Sequence, residues 1–342
     1  MLLHLTRLLL VCAAVLVIPQ AAAQSYRSEY RLSCVLGSGF PWGQAAERWA
    51  ELVREQTQGR INIRLYTGAS LVGGDQTREF PSIQQGVIDL AVGSTINWSP
   101  QVKELNLFSL PFLLPDHKAI DALTQGAVGR ELFAVLEKNG VIPLAWGENG
   151  FRELSNSRKP IALPADMKGM KFRVVGSPVF VDIFNALKAR PMLMSWVDAQ
   201  PALVEGVVDG QENPLSVYLA SNMLRVGQRY LTAWRYVADP LIFVVNPQVW
   251  AGWSVSDRQI VRQAAQQAAR ENIERARRGL MGHDASQWRQ LEAAGVSVTH
   301  LTAAQRAAFV QATRPVYDKW RKTIGAELVG LAEQAIAARK EP

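Results

Sequence analysis

Met170-Lys171-Phe172-Arg173-Val174-Val175-Gly176-Ser177-Pro178 decides how the chain is read. Met170, Phe172 and Val174 alternate with Lys171, Arg173 and Val175, the period of a strand. Gly-Ser-Pro ends it, and Phe180, Ile183, Phe184 and Leu187 then recur at helical spacing. The unit is strand, tight turn, helix. Arg173 falls near the carboxyl end of the strand, where open α/β sheets bind ligands. The helix start adds free N–H groups and the positive end of a dipole. Arg173 is therefore predicted to hold the carboxylate of a small solute.

Strand-helix alternation extends on both sides. Tyr30–Leu36 reads as a strand, Trp42–Gln58 as a helix closed by Gly59, Ile61–Leu65 as a second strand and Ile88–Val92 as a third. Asp75 is placed to cap a helix running to about Gly86. The Gly68–Gly74 loop has neither a Walker lysine nor G-x-G-x-x-G spacing, and a plain turn is preferred over a phosphate cradle. Leu107–Leu114 reads as a buried extended segment, His117–Asn139 as one helix and Val141–Trp146 as a strand. Phe151–Asn156 crosses into a second region, where the logic repeats: helix 179–188, strand Pro191–Met194, helix Asp198–Glu205 and a strand–turn ending at Pro214. Leu241–Asn246 reads as a buried strand that returns to the first region. Ser256–Ala294 reads as helix, with Ser256 and Gln259 as a capping box. Continuous, it would measure about 58 Å, with kinks expected near Gly279 and Gly282. Thr302 and Gln305 form a second capping box opening the last helices.

Composition is that of a globular protein long enough for two domains: 342 residues, 48% hydrophobic and 20% charged, with a formal net charge of +7. The positive charges are spread, which argues against nucleic-acid binding. Arg7, the apolar run Leu8–Ile18 and Ala21-Ala22-Ala23 have the order of a secretory signal, giving a mature start at Gln24 and a periplasmic location. Cys12 leaves with the signal, so Cys34 stands alone, a small core residue of the first strand.

Catalytic patterns are missing. His4, His117, His283 and His300 are scattered without metal-ligand spacing, and neither G-x-S-x-G nor H-E-x-x-H occurs. No enzyme activity, metal or cofactor is expected. Binding chemistry is better represented. The planar fork of an arginine matches a carboxylate through two parallel hydrogen bonds. Arg152 and Arg173 both end extended segments, the alternative for each being a surface salt bridge. Asn213, held extended by Pro214, has an amide that can donate to the same group or simply form a turn. Trp196 fits stacking on a solute and an interlobe core equally well.

Several pieces together carry a family likeness: Leu163–Val174, Val207–Pro214, Gly73-Gly74-Asp75, Leu110-Pro111-Phe112, Phe151–Asn156 and Asp239-Pro240-Leu241. Over nearly the whole mature chain the sequence resembles the periplasmic solute-binding subunit of tripartite ATP-independent periplasmic (TRAP) transporters, DctP type. The resemblance implies an α/β, two-lobed Venus-flytrap fold, each lobe a mixed sheet flanked by helices, with a long helix spanning both. The division expected is 1–23 signal, 24–149 plus about 238–277 for one lobe, and 150–237 plus about 278–330 for the other. It implies that Arg173 makes the main carboxylate salt bridge, with Arg152 and Asn213 in support and Trp196 beside the ligand. It also implies that Asp75 approaches the pocket and that Asn97 and Phe40 line the first lobe's side. The function implied is delivery of a C4-dicarboxylate or related organic acid to TRAP permease subunits; the protein itself is expected to be a monomer. The alternative is a sensor that presents a carboxylate to a membrane receptor kinase.

Overall fold

The structure, a computed structural model, describes residues 26–280 and 285–339. The signal segment 1–23, Cys12, Gln24, Gly282 and the histidines at 4 and 283 lie outside the described residues. Among the described residues no helix is long and apolar enough to cross a membrane.

Among the described residues ten strands form one connected sheet: β1 (Tyr30–Cys34), β2 (Ile63–Tyr66), β3 (Leu90–Ser94), β4 (Ile142–Asn156), β5 (Lys171–Val174), β6 (Arg190–Leu193), β7 (Gly210–Pro214), β8 (Tyr230–Ala233), β9 (Ala238–Val245) and β10 (Ser297–His300). The order is β2-β1-β3-β9-β4-β7-β5-β6, with β8 also on β4 and β10 on β8. The first half is parallel through β2, β1 and β3, and β9 runs antiparallel to β3. In the second, β5 lies parallel to both β6 and β7.

β4 belongs to both halves. Ile142–Phe151 pairs with β9, whereas Arg152–Asn156 pairs with β7 and, at its end, β8. The change of partner follows a register shift between Glu148 and Gly150, where Gly150 takes φ 126°. A bulge bends and twists a strand at such a point, so one strand serves two lobes. Val141–Trp146 and Phe151–Asn156, expected as separate segments, are one continuous strand, because Gly147 stays in the ladder opposite Leu241 and the shift before Gly150 is a bulge and not a turn. β9 returns to the first half as expected, buried along its length. Such a run of Leu, Ile, Phe and Val suits a strand covered on both faces.

The helix Pro41–Gln56 buries Trp42, Ala45, Ala46, Trp49, Leu52 and Val53, the stripe its spacing predicts. Cys34 is a buried free thiol in this core. Further expectations fail. His117–Asn139 is two helices, His117–Gln125 and Ala127–Lys138, because Gly126 has an extended backbone that ends one and begins the other. Leu107–Leu114 is buried but not extended: its first part belongs to a 3-10 helix over Lys103–Ser109. The helix expected over Ser256–Ala294 is Val255–Arg277, 23 residues or about 35 Å. Ser254, not Ser256, is its cap, accepting from the Asp257 N–H at 3.1 Å. It stops ahead of Gly279, at φ 75°, and a shorter helix, Ser286–Ala293, follows. Where the long helix ends, Arg277 bonds Asp121 at 2.6 Å and Glu148 at 3.0 Å, beside the bulge of β4. Ala303–Ile324, opened by the Thr302–Gln305 capping box, touches both halves: Pro178–Ala186 of the second and the 3-10 helix Lys103–Ser109 of the first.

Candidate functional site

A small cavity lies between the halves, at the ends of β3, β5 and β7 and the start of β9. β5 alternates as its sequence predicts. Phe172 and Val174 are buried in the core, while Arg173 and Val175 line the cavity. Arg173 is 1% exposed. Its Nε donates to the Met194 carbonyl at 3.0 Å, which orients the guanidinium, and its Nη2 has no partner. The guanidinium carbon lies 5.8 Å from the Trp196 ring centroid. Burial pulls the Arg173 pKa down to about 10, with the Glu212 charge opposing and Arg152 adding to the fall. Arg173 is thus a buried cation without an ion pair among the described residues. Such a group is costly until an anion joins it.

Arg152 differs. Its Nη2 donates to Glu212 Oε1 and to the Glu212 carbonyl, each at 2.8 Å, and its Nε bonds the other Glu212 oxygen. Its Nη1 donates to Asp239 Oδ2 at 3.1 Å. Tyr236 gives its hydroxyl proton to Glu212. Asp239 also accepts from Ser94 Oγ and, at 2.8 Å, from Asn149 Nδ2. Burial alone would lower the Arg152 pKa, but Glu212 and Asp239 outweigh it and hold the arginine firmly protonated. For Asp239, burial outweighs Arg152 and the two neutral donors, so its pKa lies above the usual carboxylate value. Arg152 lines the cavity, yet most of its donors serve these two buried carboxylates.

The other expected residues divide. Asn213 lines the cavity from the end of β7, its amide nitrogen bonded to Gln211 Oε1. Asn97, on the short helix Thr95–Trp98 after β3, lines it and accepts from Gln76 Nε2 at 2.9 Å. Trp196 lines it from the start of the helix Trp196–Val204. Asp75 and Phe40 do not. The Asp75 carboxylate caps the 3-10 helix Gln76–Arg78, accepting from Thr77 N at 3.0 Å and Thr77 Oγ1 at 2.7 Å, and it faces a neighbouring groove. Gln76 takes the cavity position. Phe40 precedes the helix Pro41–Gln56, and Trp42, two residues further, lines the cavity with its Nε1 donating to the Val92 carbonyl at 2.8 Å. Ser94, Asn149 and Asp239 also line the cavity and were not anticipated. Asp239-Pro240-Leu241 had stood out in the sequence, but nothing local indicates where its carboxylate points.

Residues 32–323 match the DctP family, described as bacterial extracellular solute-binding protein, family 7. The chain belongs to that family. It is a periplasmic solute-binding protein of the TRAP type and not an enzyme. It is 30% identical to the C4-dicarboxylate-binding periplasmic protein DctP of Rhodobacter capsulatus over 90% of each chain. Among solved structures, a TRAP periplasmic solute-binding protein from Ralstonia eutropha H16 with bound (S)-2-acetolactate shares 63% identity and a TM-score of 0.91, covering 92% of this chain and all of that one. A second, from Sulfurospirillum deleyianum with bound succinate, shares 28% identity and a TM-score of 0.81 over 90% of this chain and 98% of its own. The chain accordingly binds small organic acids.

Proposed function

We propose that the chain carries a small 2-hydroxy or 2-oxo carboxylic acid, held by a salt bridge to Arg173, to the membrane subunits of a TRAP permease. The buried Arg173 guanidinium, its Nη2 unpartnered, carries this reading. A carboxylate would complete the fork that Met194 already orients. The lining side chains leave little free space between the halves, which favours a short acid. Val35, Leu36, Val175 and the rings of Trp42 and Trp196 give such a solute apolar walls, and Ser94, Asn97, Asn149 and Asn213 give it neutral polar partners. That mixture suits a molecule with methyl groups beside a hydroxyl or keto oxygen, and the acetolactate bound by the 63% identical relative has that composition.

The lobes would divide near 150 and 238, where β4 changes partners and β9 begins. A ligand touching both halves favours the closed over the open arrangement, and the permease would accept the closed one.

The test is calorimetry and thermal unfolding on protein refolded from denaturant, with (S)-2-hydroxy-2-methyl-3-oxobutanoate, lactate, pyruvate, succinate and galactonate. A ligand at 100 times its dissociation constant stabilises by ~2.7 kcal/mol, a shift of several degrees. A response to the short 2-hydroxy or 2-oxo acids is expected. No response to any carboxylate would overturn the reading.

A further inference from the structure

We propose that Asp239 restricts this cavity to acids bearing a single carboxylate. The inference rests on Arg173 as the carboxylate anchor. Among the described residues that line the cavity, the charged ones are Arg152, Arg173 and Asp239. Arg152 is bound on one side by Glu212 and on the other by Asp239. Two cations therefore face two buried carboxylates, and only Arg173 is left to accept an anion.

The sheet order separates anchor and acid. Arg173 stands on β5 and Asp239 on β9, with β7 and β4 between them. A solute anchored by Arg173 turns its remaining groups towards Asp239 and the neutral side chains around it, Ser94 and Asn149. A hydroxyl can donate there, and a keto oxygen can accept from an amide. A second carboxylate meets a fixed negative charge, and the one nearby cation is already engaged. An unpaired buried anion is expensive, and like charges brought together add to the cost. Asp239 thus works against the wrong ligand, which is one of the two routes to specificity. Replacing it with asparagine removes the charge and frees Arg152 Nη1 to take a second carboxylate.

The test uses a matched pair: 2-hydroxy-2-methyl-3-oxobutanoate and 2-hydroxy-2-methylmalonate, in which a carboxylate replaces the acetyl group. The readout is the ratio of their dissociation constants by calorimetry at neutral pH, for the wild type and for D239N. The wild type is expected to favour the monocarboxylate at least 30-fold, and D239N to narrow that ratio at least tenfold. A purely structural role for Asp239, holding Arg152 in place, would weaken both acids alike and leave the ratio unchanged, and that result overturns the proposal. Equal wild-type affinities overturn it without any variant. Asp239→Ser, which removes the charge with a smaller side chain, repeats the comparison if D239N does not fold. Binding of neither acid by the wild type would remove the carboxylate anchor itself, and this inference with it.

Discussion

The backbone N–H of Trp196 donates to Gln76 Oε1 at 2.9 Å, a hydrogen bond that joins the two halves at the rim of the cavity. The Gln76 amide is steadied by its other end, where Nε2 donates to Asn97 within the first half. Gln76 is buried, so this latch exists only while the halves are together. A net hydrogen bond contributes about 0.5–1.5 kcal/mol. Gln76→Ala is expected to raise the ligand off-rate roughly 2- to 10-fold, since each 1.4 kcal/mol is a factor of ten. Stopped-flow release into excess competitor measures it, and an unchanged off-rate would show that the latch does not hold the closed state.

Arg173 sets function against stability. Its buried charge, with burial pulling the pKa down, is a cost the closed arrangement bears until an anion joins it. Arg173→Met keeps most of the side-chain volume and removes the charge. It is expected to melt higher than the wild type without ligand and to bind the acid at least 100-fold more weakly. Arg173→Lys retains a charge but not the fork, and at least a tenfold loss is expected. Calorimetry and thermal scans on the same preparations check both. A variant that binds normally would remove Arg173 from the site, and a lower melting temperature for Arg173→Met would show that the guanidinium stabilises the empty protein.

Much of this architecture is legible along the chain because its signals are local. The alternation of Phe172, Arg173 and Val174 predicts which side chain leaves the core, and the structure places Arg173 accordingly. Legibility fails where long-range partners decide. Arg152 gives no sign in sequence that Glu212, paired to it across β4 and β7, and Asp239, on β9, occupy most of its donors. Asp75 and Phe40 miss the cavity by one and two residues, since a turn or a helix start sets the direction of each side chain only once its hydrogen bonds form. The strand at Val141–Trp146 and the crossing at Phe151–Asn156 read as separate segments, yet a bulge before Gly150 lets β4 continue through both.

Glu79 gives a pH signature. The side chain is fully buried at the start of the helix Glu79–Gln84, with Ser33 Oγ donating to Oε1 at 2.6 Å. Burial pushes its pKa from 4.5 up to about 7, against the opposing Ser33 bond. Between those values the folded protein holds a proton that the unfolded chain has released. Its contribution to stability is therefore fully present below pH 4.5, falls as the pH rises and is lost above about 7. Glu153 shares the direction, with burial again the largest cause. Comparison with Glu79→Gln isolates the first group. The variant is expected to gain on the wild type as the pH goes from 5 to 8, by at most a few kcal/mol. Urea melts across that range measure it, and a difference independent of pH would show that Glu79 does not titrate there.

Gly176 leaves no room for a methyl group where the halves meet. It follows β5 by two residues and faces Thr77 of the other half. A Cβ placed on Gly176 would come within 2.6 Å of Thr77 Cγ2. The threonine cannot easily turn away, because its Oγ1 donates to Asp75 Oδ1 at 2.7 Å. The backbone at Gly176 is not left-handed, so alanine is conformationally acceptable there and the clash is wholly between the halves. Gly176→Ala is expected to leave the open protein folded and to weaken binding by roughly tenfold or more, a closing penalty of about 1.4 kcal/mol. The second change, Thr77→Ser, removes Cγ2 and keeps the hydroxyl on Asp75. In the Gly176→Ala background it should restore affinity to within a few-fold of the wild type. Rescue by Thr77→Ser would tie the defect to this one contact. Failure of the rescue, with the double variant folded, would mean that the alanine disturbs the turn after β5, and the weaker binding would then come from a displaced Arg173 and not from an obstructed closure.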